Sequence, residues 1–309
     1  MDLYVDRGLK LKLGDRVLSL DSGGKADCYF ISHAHSDHVL SRKKAKVFCS
    51  KETASLIVHR YEKAFDFVYG TPFKAELLDS GHILGSKALY IANGYSLLYT
   101  GDFSTQRRAF MKPAKFKKAD TLVIESTFGS PLYVFPNQEE ELGRLKDWVQ
   151  DTLRNHSVLV MAYSLGKAQV VSKALEDFDV YVHSSVSRMN EVYNHHGISL
   201  NTKEFDINNP PSGNFVYILP PSLSGTIGRG LKKKFGMKSA ICSGWAVNPM
   251  YKFMFGADES FVISDHADFE GLVETVKKVS PSKVYTVHGF SDEFAAFLKR
   301  KGYDAEALE

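Results

Sequence analysis

ISHAHSDHVL, residues 31–40, sets three of the chain's 11 histidines and an aspartate inside six positions. It follows an apolar, aromatic-rich run, DCYFIS (27–32), whose composition predicts a strand. Loops at strand ends are where a rigid sheet positions reactive groups. Imidazole and carboxylate are good ligands for zinc or manganese. His33 and His35 alternate by two, while Asp37 and His38 point elsewhere because the chain turns there. Four donors on one short loop can hold two ions rather than one, and the remaining ligands must come from other segments.

Such segments recur. DSGHILGS (79–86) puts His82 in a Gly-flanked loop just before a predicted strand, and YTGDFS (99–104) puts Asp102 directly after one. VISDHADF (262–269) places Asp265 and His266 after another, and VYTVHGF (284–290) ends a strand on His288. Each sets a ligand at the end of an apolar strand, usually beside a glycine that permits a tight turn. TLVIEST (121–127) carries Glu125 at its end, and acids in such places often have shifted pKa values. Two-metal sites, with ions ~3.5–4 Å apart, clamp both oxygens of an in-line phosphoryl displacement. His59, His156, His183, His195 and His196 lack this setting and are assigned no chemistry.

The rest of the chain is an ordinary globular background. Of 309 residues, 44% are hydrophobic and 24% charged, with a net charge of +3. That charge permits an acidic partner without demanding one. Cys28, Cys49 and Cys242 form no CxxC pair, which argues against a cysteine zinc site, and their apolar settings fit a reducing compartment. MDLYVDRGLKLKLGDRVLSL lacks an apolar signal core, and no apolar stretch approaches the ~20 residues that span a bilayer. A cytoplasmic protein with no membrane association is expected. Strand-like runs at 46–50, 88–93, 96–100, 157–163, 214–220, 260–265 and 283–288 alternate with helical patterns over 51–65, 138–155, 166–177 and 270–279. This predicts an α/β protein without internal repeats. NNPPSGN (208–214) is the strongest loop signal.

HAHSDH with His82, Asp102 and His288 resembles the metallo-β-lactamase superfamily. ESTFG (125–129) and SDHAD (264–268) narrow the likeness to its β-CASP nuclease branch. YSLGKAQ (163–169) and ESTFGSPLY are most similar to the ligase-associated DNA exonuclease group. The likeness runs over nearly the whole chain. It implies an αββα metallo-β-lactamase sandwich, residues 1–128 and 259–309, with an inserted β-CASP α/β domain at 129–258. It implies that His33, His35 and His82 bind one divalent ion, that Asp37, His38 and His288 bind a second, and that Asp102 bridges them. Zn2+ is the expected ion and Mn2+ the alternative. Glu125 and His266 are implied as a pair beside the scissile phosphate, so the catalytic candidates are Asp37, Glu125 and His266. The Gly-rich opening of the 3′-end-processing endonucleases is absent, which favours the exonuclease group.

The expected function is hydrolysis of DNA phosphodiester bonds by a single-strand-preferring exonuclease in DNA repair. An ATP-dependent DNA ligase and a helicase are partners that the resemblance implies. An RNA-processing β-CASP ribonuclease is the first rival. A thioester hydrolase with the same metal core is the second, and the long region between Asp102 and His266 argues against it. The cleft is expected between the two domains. In AYSLGKAQ a strand meets a helix start, whose free N–H groups attract phosphate. Ser164, Gly166 and Lys167 are therefore candidate phosphate contacts, as are Ser243 and Gly244 of CSGW (242–245). Trp245 is a candidate stacking surface, although a core position is the commoner reading. RKKAK (42–46), KPAKFKK (112–118) and LKKKFGMK (231–238) are solvated faces unless they line the cleft, where they would bind backbone phosphates.

Overall fold

The computed structural model describes residues 2–41, 45–62, 65–69 and 74–308. Most of the run at 42–46 and the end of the helix predicted over 51–65 lie outside them. The chain divides into two compact units: residues 1–105, 113–133 and 266–309 form one, and residues 106–112 and 134–265 the other.

In the first unit, one six-stranded sheet runs β1 (Asp2–Val5), β2 (Leu9–Leu13), β3 (Arg16–Leu20), β4 (Cys28–Phe30), β5 (Lys46–Phe48), β6 (Asp66–Val68) in spatial order. A second is ordered β18 (Ala305–Ala307), β17 (Lys283–Val287), β10 (Thr121–Glu125), β9 (Ser96–Tyr99), β8 (Lys87–Ala92), β7 (Ala75–Asp79). Successive side chains of a strand face opposite ways, and β10 uses this fully. Val123 packs with Phe30, Phe48 and Tyr99 between the two sheets. Leu122 and Ile124 pack outward against α7 (Phe269–Val279) and α8 (Ser291–Arg300), through Leu272, Val276, Phe294 and Leu298. Glu125 therefore shares the face of Val123, at the strand end between the sheets. On the first sheet's side, α1 (Lys51–Tyr61) starts at the N-cap Ser50 and buries Thr53, Ala54, Leu56 and Ile57. This is the expected αββα sandwich.

The second unit is a parallel sheet. Its order is β13 (Lys203–Glu204), β12 (Val180–Val182), β14 (Val216–Leu219), β11 (Val158–Met161), β15 (Lys238–Cys242), β16 (Glu259–Phe261). Parallel strands need crossover connections, supplied by α3 (Lys167–Ala174), α4 (Ser184–His195) and α5 (Arg229–Phe235). A short α6 (Tyr251–Met254) precedes β16, and α2 (Gln138–Thr152) precedes β11. One core, including Leu142, Leu145, Val160, Val171 and Val186, covers one face; the other holds Leu159, Met161, Leu219 and Ile241.

The boundaries differ from those expected at three places, each for a visible reason. Residues 259–265 belong to the second unit because β16 pairs in register with β15 through Ala240↔Glu259 and Cys242↔Phe261. Residues 129–133 stay with the first, where the Tyr133 ring lies 5.3 Å from those of Phe128 and Phe290. Residues 106–112 join the second because Arg108, fully buried, donates to the Ser264 carbonyl at 3.0 Å.

Candidate metal centre

Strand β4 delivers the HAHSDH loop, and its surroundings hold it. The Ser32 N–H donates to Asp21 Oδ1 at 2.6 Å, and the Tyr61 hydroxyl donates to the Ala34 carbonyl at 3.1 Å. A turn closes where the His38 N–H reaches the His35 carbonyl at 3.2 Å. Gly101 lets the Asp102 loop approach: its φ is +54°, and a Cβ there would stand 2.6 Å from Ser32 Cβ. In the His82 loop, Ser86 Oγ accepts from the N–H groups of His82 and Ile83 at 3.1 and 3.2 Å.

These loops aim four donors at one point. His35 Nδ1 lies 3.0 Å from both His33 Nε2 and His82 Nε2. Asp102 Oδ2 is 3.4 Å from His33 Nε2 and 3.7 Å from His82 Nε2. Ligand atoms about 2.0–2.1 Å from one tetrahedral zinc ion stand about 3.3 Å from each other, so the spacing fits a cation at the centre. The electrostatics agree. Burial, reinforced by His38, His82, His35 and His266, holds His33 well below the ordinary histidine pKa and leaves it a neutral ligand. Burial also raises the Asp102 carboxyl, with His38 opposing; a buried carboxylate needs a compensating cation, which protonated His38 supplies in the metal-free chain and a metal ion could supply in its place. The cluster can therefore bind a metal ion.

A second set of donors adjoins the first. His38 Nε2 is 3.5 Å from Asp102 Oδ2 and 3.7 Å from Asp37 Oδ2, and the His38 and His288 ring centres are 5.4 Å apart. Asp37 is the exposed member, with its side chain 77% accessible. His288 closes β17 at φ +62°, and its carbonyl accepts from Ser126 Oγ at 2.8 Å. Gly289 follows, also left-handed, where a Cβ would stand 2.4 Å from Thr127 Cα.

The third element is an acid–imidazole pair. His266 Nδ1 lies 3.0 Å from both oxygens of Glu125 and 4.0 Å from Asp102 Oδ2. The Phe103 N–H donates to Glu125 Oε1 at 2.8 Å, and the Ala267 N–H to the Phe103 carbonyl at 2.7 Å, so the strand-end loops are tied together. Burial opposes ionisation of Glu125, but His266, the Thr127 side chain and the Phe103 N–H bring its carboxyl below the ordinary value.

Sequence reasoning missed Asp21. It is buried directly after β3, left-handed at φ +45°. Its Oδ2 lies 3.0 Å from His38 Nδ1 and accepts from the Tyr99 hydroxyl at 2.8 Å. It fixes the His38 ring so that Nε2 faces Asp102, as carboxylates behind metal-binding histidines do. LDSGG (20–24) carried the same signal as the other segments, a strand followed by a carboxylate near glycine.

The candidate phosphate contacts lie in the second unit, and most are already engaged. The Gly166 N–H donates to Gln169 Oε1 at 2.7 Å, and Gln169 Nε2 to the Ser164 carbonyl at 3.1 Å. Ser243 is buried, with Oγ accepting from the Trp245 N–H at 3.3 Å, and Gly244 is buried beside it. Lys167 is 5% exposed, its ammonium 2.7 Å from Asp265 Oδ2. That pair is a structural anchor immediately before His266. Removing one partner of a buried pair strands the other charge, so Lys167→Met is expected to destabilise the protein by about 3–5 kcal/mol. Urea denaturation would register this as a fall in midpoint.

Residues 259–307 match the family described as the Zn-dependent metallo-hydrolase RNA specificity domain. The chain is 34% identical over 294 residues to a probable DNA ligase of Opitutus terrae, covering 90% of this chain and 28% of that protein. It is 30% identical over 159 residues to the DNA cross-link repair 1A protein of Homo sapiens, covering 46% of this chain and 15% of that one. It thus spans under a third of either relative. The fold is shared with a crystal structure of a protein of unknown function from Enterococcus faecalis V583, at TM-score 0.59 and 13% identity over 93% of this chain and 82% of that one. No helix among the described residues is long and apolar enough to cross a membrane. The chain is thus similar to Zn-dependent metallo-hydrolases and to DNA-repair proteins of the metallo-β-lactamase β-CASP nuclease kind.

Proposed function

We propose that this chain is a two-metal phosphodiesterase, a single-strand-preferring DNA exonuclease acting in repair. The observation that carries the reading is the Glu125–His266 pair, 3.0 Å apart, set against the Asp102 cluster. A hydrolase of small activated esters has little need of a separate proton donor; a phosphodiester with an alkoxide leaving group does. His33, His35 and His82 would hold one ion and Asp37, His38 and His288 the other, with Asp102 available to both. Zn2+ suits this imidazole-rich set, and Mn2+ is the alternative. Bound ions would supply a water acidic enough to ionise near neutral pH and offset charge on the phosphoryl oxygens.

The chain's own residues do the rest. Glu125, ionised and held by the Phe103 N–H, accepts a hydrogen bond from His266 Nδ1–H. That fixes the tautomer and, when the ring is protonated, leaves the Nε2 proton for the leaving oxygen. Asp21 orients His38 in the same manner. The second unit is assigned as the inserted β-CASP domain. The name of the Opitutus relative supports a DNA ligase as partner.

RNA is the second reading, favoured by the family description of residues 259–307. End-labelled single-stranded DNA and RNA of one sequence, incubated with the protein and zinc or manganese, test both. A ladder on DNA supports the proposal and gives the direction of digestion. Cleavage of RNA alone moves the chain to RNA processing, and cleavage of neither refutes the nuclease.

Metal loading should also be proton-linked. Burial lowers the His38 pKa, but Asp102, Asp21 and Asp37 together raise it to about 10 in the metal-free chain. His38 therefore carries a proton at neutral pH and must release it to become a ligand. Apparent metal affinity is expected to rise with pH and to level off above about 10, gaining about one decade per pH unit from this single proton. Calorimetry in buffers of different ionisation enthalpy measures the released proton directly. An unchanged affinity between pH 6 and 8 would remove His38 from the ligand set.

A further inference from the structure

The basic run LKKKFGMK (231–238) has no role in the metal centre. It lies in the second unit, over α5 and the start of β15, beside an open groove of about 700 Å3. Leu159, Met161 and Met237 make an apolar floor. Arg229, Lys232, Lys233 and Lys238 line it against one carboxylate, Asp258. That carboxylate is occupied: it accepts from the Ser239 N–H at 2.8 Å and from the Lys232 and Lys238 ammonium groups at 3.2 and 3.5 Å. Arg229 and Lys233 are exposed and, among the described residues, form no ion pair. From α6, Phe253 and Met254 contribute side chains that are 62% and 76% exposed.

An exposed phenyl ring, with the Lys252 ammonium 5.7 Å from its centre, lines one apolar-floored groove together with Arg229 and Lys233, and these select the ligand by two criteria. The ligand must be a polyanion, to match Arg229 and Lys233. It must also carry planar faces free to stack, to cover Phe253. A duplex hides its base faces, and a single strand offers both features together. We infer that this groove is a strand-binding site of the second unit, taking single-stranded nucleic acid with its phosphates on Arg229 and Lys233 and a base on Phe253. The inference rests on the nuclease reading and extends it to a surface outside the metal centre.

Fluorescence anisotropy in EDTA, which prevents cleavage, tests the inference on labelled 30-nucleotide DNA and RNA over a range of salt. The wild-type chain is compared with Phe253→Ala, Phe253→Trp and Arg229→Ala/Lys233→Ala, each checked for an unchanged melting curve. Loss of one stacking contact is expected to weaken binding by roughly 5- to 150-fold, with Phe253→Trp restoring it. Loss of two phosphate contacts should reduce the slope of log K against log salt by about 1.4. Wild-type binding with all variants equal to it in affinity and slope would overturn the groove and leave the nuclease reading standing. Absence of wild-type binding to either strand would overturn the groove, while the nuclease reading stands or falls on cleavage with metal, since EDTA also removes the proposed ions.

Discussion

Replacing Asp102 by Ala is expected to lower kcat about a thousandfold or more and to reduce the bound metal. Among the described residues, Asp102 is the one carboxylate within 3.4–3.7 Å of nitrogens from all three of His33, His38 and His82, so both proposed ions depend on it. The size follows from the chemistry. A metal site lowers the pKa of its water from 15.7 to about 7, and a chain that cannot do so loses most of its hydroxide at neutral pH. Asp102→Asn separates charge from shape. It keeps the side-chain volume but removes the negative charge, and it should resemble Asp102→Ala in both metal content and rate. Elemental analysis beside initial rates on single-stranded DNA checks this. Full metal content with full activity in either variant would remove Asp102 from the centre.

The second large effect belongs to His266. His266→Ala is expected to lower kcat by about 10^2–10^4 while the metal content stays at the wild-type value, because the ring acts as a proton donor and not as a ligand. The leaving group discriminates this role from a structural one. A substrate releasing nitrophenolate needs little protonation, so the same variant should lose far less on it than on DNA. Glu125→Gln breaks the hydrogen bond at His266 Nδ1, and it should share the loss. The double variant should fall no further than His266→Ala alone, since partners in one unit are not additive. Equal losses on both substrates would refute the general acid.

Much of this was legible in the residues. Every ligand candidate but His82, which was read from a Gly-flanked loop before a strand, came from one local rule, a polar donor at the end of an apolar strand, and DCYFIS, TLVIEST and KVYTVH all contain strands ending near such polar groups. Asp21 obeyed the same rule and was passed over because DRVLSL, its strand, reads as a charged N-terminal segment. The strands β1, β2 and β3 pair with one another, so partners spread over the sheet make up for weak local patterns. Elsewhere tertiary pairing decides what local sequence does not report. Lys167 at a helix start looks like a phosphate donor, but its ammonium is turned onto Asp265, 98 positions away. No local pattern reports that pairing. Residues 259–265 read as the return to the first unit, whereas the pairing of β16 with β15 keeps them in the second. The groove was visible only as a run of lysines, because Phe253 and Met254 reach it from a separate helix.

The central claim is that these donors form one binuclear centre, and anomalous diffraction at the zinc edge from crystals grown with the metal tests it most directly. The account predicts two peaks: one enclosed by His33, His35, His82 and Asp102, and one enclosed by Asp37, His38, His288 and Asp102. A single peak in the first group would reduce the centre to one ion. No peak among these residues, in protein that still cleaves DNA, would contradict the account.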